Sequence, residues 1–138
     1  MIQMWRRQLI FSMLFLVCIP AVAQDSLKVE VPAEAGKLVF EQNCPGCHGW
    51  DGRGELNVAP PLIKGVFVRG DKKRLIRLML DGLVEVEISG QYYPSPMPSF
   101  SYLTDSEIAD VLTFIRKNFS NNESAITPAE VRAVRNEK

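Results

Sequence analysis

The sequence has few of the residues from which metal centres and disulfide networks are built: one histidine, His48, and three cysteines, Cys18, Cys44 and Cys47. It also has no excess of charge of either sign, because 16 basic residues balance 16 acidic ones. This balance gives no support for a protein that binds nucleic acid or an anionic membrane surface. A chain of 138 residues supports one compact domain, so we expect a single core.

A long apolar run is also missing. The most apolar stretch, Leu9 to Ala23, has about 15 residues, whereas a membrane-spanning helix needs roughly 20. Two arginines precede this stretch and Ala21-Val22-Ala23 ends it, which is the order of a secretory signal peptide. We therefore predict a signal peptide over residues 1–23, cleaved after Ala23, and a periplasmic location. A retained anchor and a lipid-modified Cys18 are the alternatives that would attach the protein to a membrane.

Cleavage would remove Cys18 together with three of the five methionines. The mature chain would keep two cysteines, one histidine and two methionines, Met79 and Met97. Two basic residues would leave with the signal, so that 14 remain against 16 acidic ones. Export would also place Cys44 and Cys47 in an oxidising compartment, where free thiols rarely persist without a use.

The first half of the mature chain alternates between short helical patterns and irregular segments. Residues 24–33 are predicted to be a linker, and 34–43 a helix that ends at the cysteines. Residues 49–70 are rich in glycine and proline and predict a long loop, which is usually functional or wrapped around something. Asp71 and Gly82 bound a second predicted helix over 72–81. Apolar and acidic residues alternate over 83–88, which predicts a short extended stretch that is too small to define a sheet.

The second half carries the strongest helix signals. Thr104 and Glu107 form a capping box ahead of an apolar pattern, and a second box with a proline at the first helical position spans 127–130. We expect one domain over 34–119, followed by a polar tail over 120–138 with a short helix from 128 to about 136. The first box opens one continuous helical face, formed by Ile108, Val111, Leu112, Ile115 and Phe119.

These patterns predict an all-α domain of three to four short helices with long loops between them. Its apolar core is small for its length, because the irregular segments 49–70 and 89–103 have few large side chains to bury against each other. We infer that something other than protein fills the middle.

Cys44-Pro45-Gly46-Cys47-His48 places two thiols and the only histidine within five positions. A structural zinc site wants four cysteine or histidine ligands, usually as two separated pairs, and the mature chain has three. A thioredoxin-like dithiol follows a strand, whereas a helix is predicted here. A disulfide across two residues closes too short a loop to stabilise the fold much.

Covalent attachment of haem would use both cysteines and the histidine of this motif, because the two thiols can form thioethers while the histidine ligates iron. Haem is favoured, with zinc and a dithiol as the alternatives.

A second iron ligand cannot be histidine, because the chain has no other. Met79 lies between Ile76 and Leu80 on a predicted amphipathic helix, where core packing is the simpler interpretation. Met97 lies among prolines that disfavour both helix and central strand. A methionine on such a loop belongs to no helical face, so we predict that its thioether ligates the iron.

With these residues in place, residues 34–119 resemble a small mono-haem cytochrome c with histidine and methionine axial ligands. Gly36 and Phe40, with Phe114, match the family's crossing of terminal helices. The resemblance implies a cytochrome c-like fold wrapped around one haem c. Cys44 and Cys47 match the attachment motif, His48 and Met97 match the metal ligands, and Pro60 with Leu62 matches the segment whose proline carbonyl accepts the histidine N–H. Candidates for the propionate groups are Arg53, Tyr92 and Tyr93, although a solvated loop side chain is the simpler interpretation of any one of them.

The function that this resemblance implies is one-electron transfer, with no substrate site and no enzymatic activity of its own. The alternative is a haem enzyme or gas sensor with a displaceable distal Met97. The tail resembles one found after monohaem cytochrome domains of quinoprotein dehydrogenase systems, so a quinoprotein dehydrogenase or an oxidase is the expected redox partner. A basic cluster could dock an acidic partner, although a solvated helix face is the simpler interpretation; it consists of Arg69, Lys72, Lys73, Arg74 and Arg77.

Overall fold

A computed structural model describes residues 33–137. The predicted signal peptide and almost all of the predicted linker lie outside these residues. Within them, no helix is both long enough and apolar enough to cross a membrane. Five helices and one two-stranded antiparallel sheet follow one another along the chain: α1 (Ala33–Asn43), α2 (Pro45–His48), α3 (Lys72–Asp81), β1 (Val86–Ile88), β2 (Gln91–Tyr93), α4 (Asp105–Lys117) and α5 (Pro128–Asn136).

The helix predictions are confirmed, and the count rises to five because the cysteine motif forms a helical turn of its own. Pro45 stands at the first position of α2, where its missing N–H costs nothing. Thr104 accepts from the Glu107 N–H while the Glu107 carboxylate accepts from the Thr104 N–H, which closes the capping box of α4. The same reciprocal bonds open α5. The boundaries of α3, α4 and α5 are therefore set by local signals in the sequence.

Helices α1 and α4 cross at a glycine. A Cβ on Gly36 would overlap the backbone carbonyl of Asp110 and would come within 2.8 Å of the Phe114 Cβ. The absence of a side chain at this position lets the two backbones approach closely. Beside the crossing, the rings of Phe40 and Phe114 pack with their centroids 5.5 Å apart. The crossing predicted from the resemblance is confirmed.

The prediction that Phe119 belongs to the apolar face of α4 was wrong. The helix ends at Lys117 with Asn118 as its C-cap, so Phe119 does not continue the helical face. Phe119 instead adopts a left-handed conformation with φ 52°. Its ring packs 5.1 Å from Phe40 and 5.8 Å from Phe114. The apolar spacing at this position reflects an aromatic cluster rather than another helical turn.

The prediction that 83–88 is too small to define a sheet was also wrong. Strand β1 pairs with β2 in an antiparallel hairpin, with Val86 opposite Tyr93 and Ile88 opposite Gln91. The two residues between the strands, Ser89 and Gly90, have φ values of 54° and 80°. A two-residue turn with positive φ at both positions matches the twist of the flanking strands and favours a tight hairpin.

The tail beyond residue 119 packs onto the rest of the protein. Ile126 and Val131 are completely buried, and α5 lies against both α3 and α4. Arg116 at the end of α4, only 3% exposed, donates to the carbonyls of Val68 and Ser124 at 2.5 and 2.8 Å. These bonds satisfy a buried guanidinium and join the long loop to the tail.

Candidate functional site

One wall of a deep cleft carries the cysteine motif. The Cys44 N–H donates to the Phe40 carbonyl at 2.9 Å, so α2 continues almost directly from α1. Cys44 is buried and Cys47 is exposed, and no disulfide joins them. Burial, with a smaller contribution from the neighbouring Cys47, raises the pKa of the Cys44 thiol to about 12. The motif thus presents one thiol inside the cleft wall and one at its edge.

The long loop folds back onto His48. Gly49 follows α2 with a φ of 74°, a conformation that glycine adopts without strain. The Gly54 N–H then donates to the His48 carbonyl at 2.8 Å, and the Leu62 N–H donates to the Gly52 carbonyl at 2.8 Å. These bonds bring Pro60 against the histidine ring. The predicted loop over 49–70 is confirmed, and its folding explains its glycines.

His48 has one ring nitrogen occupied. Its Nδ1 lies 2.9 Å from the Pro60 carbonyl oxygen, and because a carbonyl can only accept, Nδ1 must carry the proton. Burial lowers the pKa of His48, while the bond to Pro60 opposes this shift. A neutral ring with a protonated Nδ1 keeps a lone pair on Nε2, which is the form that ligates metals.

The opposite wall carries Met97. Its N–H donates to the Leu83 carbonyl at 2.8 Å, and its carbonyl accepts from the Leu83 N–H at 2.9 Å. The Phe100 N–H donates to the Met79 carbonyl at 2.8 Å. These three bonds fasten the residues from Met97 to Phe100 to the C-terminal end of α3 and to Leu83 just beyond it. Sequence analysis missed this pairing, since nothing local to Leu83 indicates a partner fourteen positions away.

The cleft between the two walls holds about 1250 Å³ of empty space, including the part that opens to solvent. Its lining is mostly aliphatic and proline side chains, with Cys44, Cys47, His48 and Met97 among them. Such a lining suits a large, flat, apolar group with a metal at its centre better than it suits a polar substrate. The residues present therefore fit haem: thiols and an imidazole on one wall, and a thioether on the other.

The remaining predicted site residues divide into two groups. Pro60, Leu62 and Tyr93 line the cleft, and Tyr93 is buried at the end of β2. Tyr92 is half-exposed. Arg53 is exposed and pairs with Asp51, at 2.8 Å between Nε and Oδ2; it is not among the residues that line the cleft. Met79 also lines the cleft, although it is only 5% exposed and packed in the core.

The predicted basic cluster is largely paired within the molecule. Lys72 contacts Glu130 at 2.8 Å and Lys73 contacts Glu137 at 2.8 Å, both on or beside α5. Arg77 donates to the Val134 carbonyl at 2.7 Å. The Arg74 guanidinium stacks on the Phe67 ring at 4.3 Å from its centroid. Lys72, Lys73 and Arg77 therefore bind α3 to the C-terminal tail.

A helical fold that encloses an apolar cleft between a thiol and imidazole wall and a thioether wall defines a c-type haem domain. Comparison with known families leads to the same class: the family model described as Cytochrome c matches residues 33–119. The chain belongs to the cytochrome c family. It carries covalently bound haem c and transports electrons, as the predicted cytochrome c-like fold implied.

Its relatives include both free-standing cytochromes and subunits of larger enzymes. Cytochrome c-552 of Thermus thermophilus is 33% identical over 113 residues, which are 75% of this chain and 86% of that protein. The cytochrome c subunit of a quinone-type alcohol dehydrogenase from Gluconobacter oxydans is 31% identical over 104 residues, 73% of this chain. The chain spans only 22% of that subunit. A Cbb3-type cytochrome c oxidase subunit CcoP of Azospirillum brasilense is 33% identical over 90 residues, 60% of this chain and 27% of the subunit.

Proposed function

We propose that the protein is an exported, periplasmic electron carrier whose haem c is attached through Cys44 and Cys47 and whose iron is ligated by His48 and Met97. Bound haem supplies a one-electron Fe(II)/Fe(III) couple. The protein itself has no enzymatic activity in this proposal; it accepts and releases single electrons. The observation that supports the proposal is that all four residues line one apolar cleft, to which Cys44, Cys47 and His48 belong through the motif after α1 and Met97 through the segment bonded to Leu83.

Each residue has a separate task in this proposal. Pro60 holds the His48 ring through its carbonyl, so the ring keeps one orientation and one tautomer. The aliphatic lining keeps water from the interior, which favours the less charged oxidation state. Met97 raises the reduction potential relative to a second nitrogen ligand. Tyr93 is proposed to lie beside a propionate group; Arg53 would have to leave Asp51 to do so.

Electrons enter and leave at the mouth of the cleft. Cys47 is exposed. Trp50, two residues after His48, and Val84, which follows the cleft-lining Leu83 in sequence, are exposed apolar side chains, and they are proposed to border this mouth. A small, largely apolar contact suits partners that must bind and separate quickly. The relatives named above favour a dehydrogenase, including quinoprotein dehydrogenases, as electron donor and an oxidase as acceptor.

Replacing Met97 by alanine tests the ligand assignment. The ferric wild-type protein should show the long-wavelength charge-transfer absorption band of a methionine-ligated haem. Met97→Ala should lose this band and have a lower reduction potential, because the thioether would no longer ligate the iron. The readouts are the absorption spectrum and the potential of purified protein.

Met79→Leu is the matched control, because Met79 lines the same cleft. It should retain the band and most of the potential. A wild-type protein without the band, or a band that survives Met97→Ala, would contradict Met97 as ligand. Rapid carbon monoxide binding by untreated ferrous protein would instead support a haem enzyme or gas sensor.

A further inference from the structure

Helix α5 lies beyond the residues that the family model matches, yet it contacts the C-terminal end of the segment that carries Met97 and also helix α3, which precedes that segment. This Met97 segment, residues 82–104, begins after α3 and ends where α4 starts. Helices α3 and α4 share fewer contacts with each other than either shares with α5. Helix α5 therefore connects α3 to the start of α4, in addition to the direct bonds between the segment and α3.

Arg135 of α5 binds the C-terminal end of the Met97 segment through three of its nitrogens. Nη1 donates to the Ser101 carbonyl at 2.9 Å, Nη2 donates to the Leu103 carbonyl at 2.8 Å, and Nε donates to Oδ1 of Asp105 at 2.8 Å. A guanidinium is planar and presents its donors in a rigid fork. One side chain thus holds two backbone carbonyls of the turn that leads into α4 and the carboxylate of the first residue of that helix.

The other end of the segment is held through α3. Arg77 donates to the carbonyls of Val134 and Glu137 at 2.7 and 3.1 Å, and Lys72 donates to Glu130 at 2.8 Å. Val131 and Val134 are buried beneath these contacts. Helix α5 consequently joins α3 to the start of α4 by polar bonds above an apolar contact.

This junction bears on the width of the cleft. The His48 wall is attached to α1, which crosses α4 closely at Gly36. The Met97 wall is fastened to α3 through Leu83 and Met79. A change in the distance between α3 and α4 would therefore move Met97 relative to His48. The element that links α3 to α4 sets that distance.

We propose that α5 is a clasp that holds the two walls of the cleft together, with Arg135 as the positioning residue that keeps the Met97 thioether in place. The inference rests on Met97 as an iron ligand and adds to that proposal a means by which the ligand is retained. Arg135 acts through the backbone of residues 101–105 and not by contact with the haem. Weakening the clasp should raise the population of molecules in which Met97 has left the iron.

Imidazole added to the ferric protein measures this population. It ligates iron that Met97 has vacated, so its apparent affinity rises with the fraction of open molecules. Arg135→Gln should bind imidazole roughly tenfold more tightly than wild type, because it loses a charge-assisted bond to Asp105 and two bonds to carbonyls. The methionine charge-transfer band should disappear at correspondingly lower imidazole concentration.

Arg132→Gln is the matched control on the same helix. Arg132 also pairs with Asp105, at 3.2 Å, but it is 68% exposed, and within residues 33–137 its side chain makes no other polar bond. Its replacement should leave imidazole affinity within about twofold of wild type. Equal effects of the two arginine variants would show that charge beside Asp105, and not the hold on the backbone, matters, which would overturn the inference.

Two further variants separate local opening from overall instability. Val111→Ala shortens a buried side chain of α4 and leaves the polar bonds of Arg135, Arg77 and Lys72 in place. At equal loss of unfolding midpoint it should raise imidazole affinity less than Arg135→Gln; an equal rise would overturn the inference. Arg135→Lys keeps the charge with fewer donors, and should lie between wild type and Arg135→Gln. Wild-type affinity in both Arg135 variants would also overturn it.

Failure of the ligand assignment would look different. If Met97 does not ligate the iron, wild-type protein lacks the methionine band before any imidazole is added, and Met97→Ala binds imidazole as wild type does. If Met97 ligates the iron but the clasp is unimportant, the band is present and only the Arg135 variants behave as wild type. The same titrations distinguish the two results.

Discussion

Single residues determine how closely the parts of the cleft can approach. Gly36 is the point where α1 meets α4, and no side chain fits between its Cα and the Asp110 carbonyl. Pro60 has a comparable role at the other side of the motif, because its carbonyl is the partner of the His48 ring. In both places a backbone group, and not a side chain, makes the critical contact.

Gly36→Ala should destabilise the folded protein by about 1–3 kcal/mol, because the added methyl group must push apart two packed helices. Chemical denaturation followed by far-ultraviolet circular dichroism would measure the loss. Gly46→Ala is a suitable control, since an added Cβ there meets nothing within 4 Å. A loss at Gly36 no larger than that at Gly46 would contradict the close crossing.

At the scale of secondary-structure elements, the start of α4 is where three parts of the chain meet. Thr104 caps the helix, and the carboxylate of Asp105 in its first turn forms ion pairs with Arg135 and Arg132 of α5. An acidic residue in the first turn also interacts favourably with the helix dipole. This position therefore stabilises α4 and α5 together.

The Asp105 carboxylate makes this junction sensitive to acid. The hydrogen bond from Arg135 lowers the pKa of Asp105, with a smaller contribution from Arg132 and with burial opposing the shift. A lowered pKa in the folded state means that the carboxylate stabilises the fold above its ordinary pKa of 3.8, and that this contribution is lost as pH falls through the lower, folded value.

Asp105→Asn should therefore cost on the order of 1 kcal/mol at neutral pH, and this cost should shrink below a pH of about 4. Unfolding free energies of both proteins across the pH range would measure the difference. Asp110→Asn on the same helix should show the opposite sign, because burial, and secondly Glu107, raises the pKa of Asp110. A cost at Asp105 that does not change with pH would exclude the carboxylate as its source.

At the scale of the whole molecule, the basic side chains of α3 and the exposed residues beside the cleft have different surroundings. The basic side chains of α3 are engaged with α5 and its C-terminal end. Val84, which follows the cleft-lining Leu83 in sequence and precedes the acidic Glu85, is instead an exposed apolar residue, and it is proposed to border the mouth of the cleft. We therefore expect redox encounters at the mouth, not at the basic face.

Electron self-exchange between two copies of the protein tests this expectation without a known partner. Val84→Glu should slow self-exchange by roughly tenfold at low ionic strength, because like charges would then face each other across the encounter. Nuclear magnetic resonance line widths of mixed ferrous and ferric protein report the rate. Lys73→Ala, which removes a basic residue of α3 paired with Glu137 beside α5, should leave the rate nearly unchanged; a larger effect there would point to the basic face.

Much of this protein follows from local sequence. The bounds of α3, α4 and α5 were predictable because Asp71, Thr104 and Thr127 cap helices through bonds that reach only three residues. The attachment motif was recognisable because its chemistry requires a fixed spacing of two thiols and an imidazole. Long glycine and proline segments indicated a fold that encloses a group other than protein.

Only the tertiary structure decided which distant residues meet. The pairing of Leu83 with Met97 and the hold of Arg135 on Ser101, Leu103 and Asp105 both escaped prediction. Each depends on contacts between chain segments whose relative positions are set by the packing of α1, α3, α4 and α5. Short-range propensity carries no information about such contacts, because their energy exists only after the segments have come together.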